Sequence, residues 1–282
     1  MDLRAYLQTA LDAAYLARGI HQYYQEKGFT QSTKSTPTDL VTQADHESEA
    51  AIRALVAERH PSHVVLGEEQ GQDKEGAFRW IVDPLDGTVN YAHGFPFYAV
   101  SIGLEVLSAD ADIPRTSRAL HNPRNERLGA HGEVVLGVIL DTARGDLFTA
   151  TRGGGAYMNG RPIRVSGRET LVGSLLATGF PYDVHKDPEN LTYFQRALAK
   201  GLTVRRPGAA ALDLANVAAG RLDGFWEVKL NPWDVAAGWL IVTEAGGKVT
   251  GIQGEDYHLG NRYVVASNTF VHQQLLDTLH GR

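Results

Sequence analysis

The sequence predicts a layered α/β protein, and three observations carry that reading. Helical and strand-like segments alternate through the second half, the pattern of packed α/β layers. The middle of the chain is a run of short apolar segments separated by turn residues, which predicts antiparallel sheet. The start carries apolar residues at helical spacing. With 282 residues, 43% of them hydrophobic and 21% charged, the chain can bury a sizeable core. It reads as one unit, 1–282, with subregions of about 1–170 and 171–282.

Each element has its own signal. Leu3, Leu7, Ala10, Leu11, Ala14 and Ala17 share one helical face, and Gly28 is the stop. Lys34 to Asp39 is a turn-forming loop. Residues 44–59 form a second helix, with Ile52, Leu55 and Val56 on its apolar side and Pro61 beyond its end. Strands follow at 64–66, 80–82, 97–106, 134–140 and 147–150. Gly153-Gly154-Gly155 and Asn159-Gly160-Arg161-Pro162 are turn chemistry. The alternation then runs strand 175–177, helix 191–200, strand 202–205, helix 210–219, strand 224–228, helix 235–245, strand 263–266 and helix 270–279. Residues 108–132 fit neither pattern. They carry Arg115, Arg118, Arg124, Arg127, His121 and His131, and read as a long surface insertion.

Composition excludes several function classes. A net charge of -6 argues against broad binding of nucleic acid or anionic membrane. It leaves an anionic substrate open, because a bound divalent cation inverts the local field. The chain has no cysteine, so disulfides, thiolate metal sites and a cysteine nucleophile are out. The start lacks the basic and apolar regions of a signal peptide, and no apolar run approaches the roughly 18 residues of a membrane span. The expected location is the cytoplasm.

The strongest chemical signal is Trp80-Ile81-Val82-Asp83-Pro84-Leu85-Asp86-Gly87-Thr88. A buried strand ends at two carboxylates, and Pro84 fixes the turn between them so that both converge. Convergent carboxylates repel unless a cation lies between them, and hard oxygen ligands suit magnesium, calcium or manganese. The bend frees the Leu85 carbonyl as a further ligand. Gly87 lets an anion approach the backbone, and Thr88 supplies a hydroxyl where a helix can begin. Weaker signals are Leu66-Gly67-Glu68-Glu69 after a strand, Asn231-Pro232-Trp233-Asp234 opening an apolar helix, and Lys34 with Asp39 and Asp45. Taken singly, residues 66–69 read as a solvated loop, residues 34–45 as a loop followed by a helix cap at Thr42 or Asp45, and Asp234 equally well as an acid favoured by the helix dipole. His63 reads as a surface turn residue and His93 as loop structure.

Together these segments resemble the inositol monophosphatase superfamily. The matching stretches are Asp39-Leu40-Val41-Thr42-Gln43-Ala44-Asp45, Gly67-Glu68-Glu69, Asp83-Pro84-Leu85-Asp86-Gly87-Thr88 with Asn90, and Trp233-Asp234-Val235-Ala236-Ala237-Gly238. The resemblance implies an α/β/α/β/α sandwich with an antiparallel N-terminal sheet and a second, mixed sheet. It also implies a homodimer and a lithium-sensitive, magnesium-dependent phosphomonoesterase. Glu68, Asp83 and the Leu85 carbonyl would hold one magnesium. Asp83, Asp86 and Asp234 would hold a second, and Glu68 would help a third through water. Thr88 and Asp45 would orient the attacking water, with Lys34 near the site. The Gly87 and Thr88 amides would take phosphate oxygens. Asp86, Asp234, Gly208, Ala209, Ala210 and Glu227 would meet the rest of a small phosphorylated metabolite. Relatives often carry Ser or Thr where Ala209 stands, which weakens the case for strict inositol specificity. Fructose-1,6-bisphosphatase, nucleotide 3′-phosphatase and histidinol phosphatase activities are alternatives. So is a regulatory interaction protein on the same scaffold.

Overall fold

Apolar spacing makes the first two helices, and both turn their apolar faces to the same side of one sheet. The computed structural model describes residues 3–72, 74–107 and 132–282. Helix α1 (Leu3–Lys27) ends at Gly28, whose amide donates to the Tyr24 carbonyl. A hairpin, β1 (Gln31–Thr33) and β2 (Leu40–Thr42), frames the predicted 34–39 loop, and α2 (Gln43–Arg59) follows directly. The next elements are β3 (Val64–Gly67), β4 (Gly71–Gln72), β5 (Phe78–Asp86), the short α3 (Thr88–Ala92) and β6 (Ala99–Val106). Then come β7 (Glu133–Asp141), β8 (Leu147–Thr151), β9 (Gly155–Met158) and β10 (Arg161–Pro162). The insertion read at 108–132 falls outside the described residues except for Gly132.

Strands β10-β9-β8-β7-β6-β5-β3-β4 form one sheet of eight. It is antiparallel at every pair but one. β3 and β5 run parallel, the one exception in the expected antiparallel N-terminal sheet. The chain leaves β3 through β4 and returns to the same end, and the parallel pair puts the acids that follow Gly67 beside those that follow Val82. The segment 153–162, read as turns, also holds the β9–β10 hairpin around Asn159 and Gly160.

The second half supplies β11 (Leu175–Thr178), α4 (Glu189–Ala199), β12 (Thr203–Arg205), α5 (Ala210–Ala218), β13 (Gly224–Val228), α6 (Pro232–Glu244), β14 (Lys248–Thr250), β15 (Tyr263–Ser267) and α7 (His272–Leu279). Its sheet, β12-β11-β13-β15-β14, is mixed as expected. Helices α1 and α2 cover one face of the large sheet, α5 and α6 lie between the two sheets, and α4 and α7 cover the far face. That is the five-layer α/β/α/β/α order.

Packing explains the layers. Ala10, Ala14 and Ala17 of α1 and Ile52 and Val56 of α2 are buried against Val100, Ile102 and Leu136. Each fully buried large apolar side chain contributes about 1.5–3 kcal/mol. Gly103 and Gly137, direct partners on β6 and β7, leave a flat spot for α6. A Cβ at Gly137 would lie 2.8 Å from the Ala237 carbonyl oxygen, so the helix seats only on glycine.

His63 is the clear local correction. It is buried at 6% exposure, not on the surface, and its Nδ1 accepts from Trp80 Nε1 at 3.1 Å. The rings of Tyr6, His60 and Phe78 stack around it. A neutral imidazole is an apolar body with one lone pair, and that lone pair is what the buried indole N–H needs.

Candidate active site

Strand β5 delivers two acids. Its pairing with β6 shifts register between Asp83 and Asp86, because Pro84 has no amide to pair and the strand must bulge. His21 of α1 holds the bulge. Its Nε2 meets the Pro84 carbonyl at 3.0 Å and its Nδ1 meets Thr142 Oγ1 at 2.9 Å. A carbonyl only accepts, so Nε2 carries the hydrogen and Nδ1 accepts from the hydroxyl. Burial holds this imidazole's pKa down to about 3, so it stays neutral. The Leu85 amide donates to Asp83 Oδ1 at 3.0 Å. The Leu85 carbonyl lies at hydrogen-bond distance from Thr88 Oγ1.

Asp86 reaches across the molecule. Its Oδ2 accepts from the Ala211 amide, 125 positions away, at 2.8 Å. The Ala210 and Leu212 amides add to that pull, so Asp86 caps the N-terminus of α5, where the helix dipole favours negative charge. Asp234 sits in the first turn of α6 and takes the Asn231 amide on Oδ2 at 2.7 Å.

Glu68 follows β3, and Glu49 of α2 shapes its turn by accepting the Glu69 amide at 2.7 Å and the Gln70 amide at 3.1 Å. Gly67 leaves room for that carboxylate, since a Cβ there would lie 2.4 Å from Glu49 Cδ. Lys34 Nζ lies 2.8 Å from Glu68 Oε1 and 2.5 Å from Glu69 Oε1. Burial opposes the ammonium charge, yet the two glutamates hold Lys34 above the ordinary lysine range.

Charge shows which acids face one another. Burial raises Asp83 and Asp234 well above the carboxylate range, and Glu68 is the next contributor to each. Asp83 also feels Asp86 and Asp234, and Asp234 feels Asp86 and Glu227. Asp86 is pushed up to about 7, chiefly by burial. Glu68, Asp83, Asp86 and Asp234 thus repel one another around one site. Such a set fits a hard divalent cation, because every donor is oxygen and a cation takes the place of the protons that repulsion retains. Among the described residues no three His, Asp or Glu side chains are drawn into a ready cage. The positive charge seated there is the Lys34 ammonium.

Asp45 and Thr88 are joined. Thr88 Oγ1 lies 2.8 Å from Asp45 Oδ1, while Asp45 Oδ2 takes the Thr42 amide at 2.8 Å and the Thr42 hydroxyl at 2.6 Å. Gly87, at φ 89°, opens α3 beside the 208–209 turn. A Cβ there would lie 3.2 Å from Ala209 Cβ and 3.3 Å from the Gly208 carbonyl. Asn90 Nδ2 fixes that approach by donating to the Phe97 and Pro207 carbonyls at 2.8 and 2.9 Å. Ala209 and Ala210 are buried at the start of α5. Glu227, at the end of β13, is pushed up to about 8 by burial and by Asp86, against Arg206.

Sequence reasoning left out His21, Glu49 and Tyr182. The Tyr182 phenol, on the loop after β11 and 43% exposed, is raised by burial and by Asp39, Glu68 and Asp86. Only Glu49 carried a readable signal, a buried-face acid four residues before Arg53. His93 is exposed at the end of α3 and takes no part. A depression of about 500 Å³ lined by Met158, Asn159, Arg161 and Ile163 lies apart from these acids.

Two sheets enclose a helix layer, and acids stand at strand and helix ends on one side of it. The model of the Inositol monophosphatase family matches residues 2–109 and 128–281. The chain belongs to that family. It is 39% identical over 283 residues to an inositol-1-monophosphatase of Mesorhizobium japonicum, covering 99% of this chain and 97% of the relative. It is 41% identical to a Nus factor SuhB of Pseudomonas aeruginosa, over 86% of this chain and 83% of that one. The solved inositol monophosphatase of Anabaena superposes with a TM-score of 0.81 at 36% identity, over 99% and 97% of the two chains. No helix among the described residues is long and apolar enough to cross a membrane.

Proposed function

We propose that this chain hydrolyses inositol monophosphate or a similar polyol or sugar phosphate, with two or three magnesium ions held by Glu68, Asp83, the Leu85 carbonyl, Asp86 and Asp234. One observation supports the reading: the parallel pairing of Gly67 with Val82 sets Glu68 and Asp83 side by side at the strand ends, where burial and the neighbouring acids Glu68, Asp86 and Asp234 push Asp83 up. When bound, magnesium supplies Lewis-acid charge and a water of lowered pKa.

The chain's own residues do the rest. Asp45, fixed on the Thr42 amide and hydroxyl, accepts the Thr88 hydrogen, which leaves the Thr88 oxygen lone pairs free to accept from the attacking water. Burial raises the Asp45 carboxyl, so this pair can take up a proton as the water adds to phosphorus. The Gly87 and Thr88 amides receive phosphate oxygens. Asp86 keeps α5 docked, which sets Ala209 and Ala210 against the alcohol half of the substrate. Lys34 balances charge on Glu68 at the mouth. Positioning and electrostatics carry most of the acceleration, as in other phosphoryl transfers. The reading includes a homodimer and lithium inhibition, both from the family resemblance, and the cytoplasmic location expected from the sequence.

The test is phosphate release from inositol 1-phosphate, fructose 1,6-bisphosphate, a nucleotide 3′-phosphate and histidinol phosphate, with magnesium and with chelator. We expect turnover only with metal, highest on the polyol phosphate, and near-abolition in Asp83→Asn. Equal turnover in excess chelator overturns the mechanism. The Pseudomonas relative's name favours a second reading, a regulatory interaction on the same scaffold. An inactive Asp83→Asn chain that still replaces the wild type in cells supports it, and failure to do so removes it.

A further inference from the structure

The first turn of α5 carries an acid to which the proposed chemistry gives no task. Asp213 is 1% exposed, and its Oδ1 has no hydrogen-bond partner among the described residues. A buried oxygen left unbonded is costly, and more so when charged, so its position calls for a reason. Two features say where it faces. Helix α5 packs on β13, the strand that carries Glu227. The charges acting on Asp213, after burial, are Glu227, Asp86 and, in the opposite sense, Arg206.

Glu227 itself is tightly placed. Strands β11 and β13 run parallel with Thr178 beside Trp226, so Gly179 and Glu227 leave the sheet side by side. A Cβ on Gly179 would lie 2.2 Å from both Glu227 carboxylate oxygens. The carboxylate therefore rests on glycine on one side, and side chains alternate along β13, so Glu227 lies on the face of Phe225, which packs in the core shared with α5. Two acids facing one another in such a place cannot both be ionised at little cost, and the stable arrangement is one proton between them. Asp213 is the deeper of the two and lacks a partner for Oδ1, so the proton belongs on Asp213.

We propose that Asp213 is the positioning residue for Glu227: its carboxyl hydrogen is donated to one Glu227 oxygen, and the rest of that carboxylate is presented to hydroxyls of the substrate's alcohol half. The proposal rests on the phosphatase reading above. It makes the Asp213–Glu227 pair a selector for polyol phosphates over phosphomonoesters whose leaving group has no hydroxyls. No proton is consumed, because the hydrogen stays between the two carboxyls throughout the cycle.

The test compares Asp213→Ala and Asp213→Asn with wild type, in magnesium, on inositol 1-phosphate and on p-nitrophenyl phosphate. For Asp213→Ala we expect KM for inositol 1-phosphate to rise about tenfold, the size of one lost hydrogen bond's worth of order, with kcat within about twofold. Both constants for p-nitrophenyl phosphate stay within about twofold. Asp213→Asn keeps a donor of the same shape and stays near wild type on both substrates. Equal losses on both substrates, no effect of alanine, or an asparagine variant as impaired as alanine each overturn the proposal. Asp213→Leu replaces alanine if that variant does not fold. If neither folds, Asp213→Asn decides alone: an unchanged KM for inositol 1-phosphate supports the donor, and a tenfold rise overturns it. A wild type that releases phosphate from neither substrate overturns the phosphatase reading itself, a result separate from any of these.

Discussion

Thr88 has one hydroxyl hydrogen and two acceptors in reach, Asp45 Oδ1 at 2.8 Å and the Leu85 carbonyl at 3.0 Å. The shorter, charged acceptor wins, and a cation held by the Leu85 carbonyl would strengthen that choice. Thr88→Ala should therefore lower kcat by about 10²-fold, the lower end for a lost acid–base contact, with KM little changed. Thr88→Ser, which keeps the hydroxyl, should lose far less, and steady-state kinetics at fixed magnesium separate the two. At this scale the motif acids were legible because each stands where a strand or helix ends. His21 and Asp213 were not. A lone histidine inside an amphipathic helix has no signature for the carbonyl it will meet, and an acid in an apolar helix reads as a flaw in the pattern until its neighbours are seen.

Elements place these residues, and α6 places Asp234. The helix lies on Gly103 and Gly137, with the Ala237 backbone at the contact. A methyl group at position 137 has only backbone to push against, so Gly137→Ala should destabilise the fold by about 1–3 kcal/mol, as overpacking does. The same push moves the first turn of α6, so magnesium affinity should fall as well. Urea unfolding and a magnesium titration of the same sample check both halves. Loss of stability with unchanged affinity would show that α6 does not govern Asp234. Helix and strand positions were legible from periodicity across most of the described chain. The β1–β2 and β9–β10 hairpins were not, because strands of two to four residues are too short to show a period. The parallel β3–β5 pair was also hidden, since strand direction is set by how β4 turns back and not by local pattern.

The whole molecule brings together acids that the chain keeps far apart, with Asp86 capping α5 as the tie between its halves. The five layers were legible only through family resemblance. Alternation of helix and strand says that layers form, and it does not say which helices share the central one. Gathered in this way, the acids hold protons that ordinary carboxylates release. Glu69 and Asp86 are each pushed up to about 7, mainly by burial. A cation entering the site must displace those protons. The direct measurement is calorimetric titration of magnesium into the metal-free protein at pH 7 and pH 9, in two buffers of different ionisation heat. The gathered site predicts saturable binding with proton release at pH 7 that diminishes at pH 9, and the loss of most binding in both Asp83→Asn and Asp234→Asn. Magnesium binding that neither substitution weakens, or that releases no protons at pH 7, would contradict it.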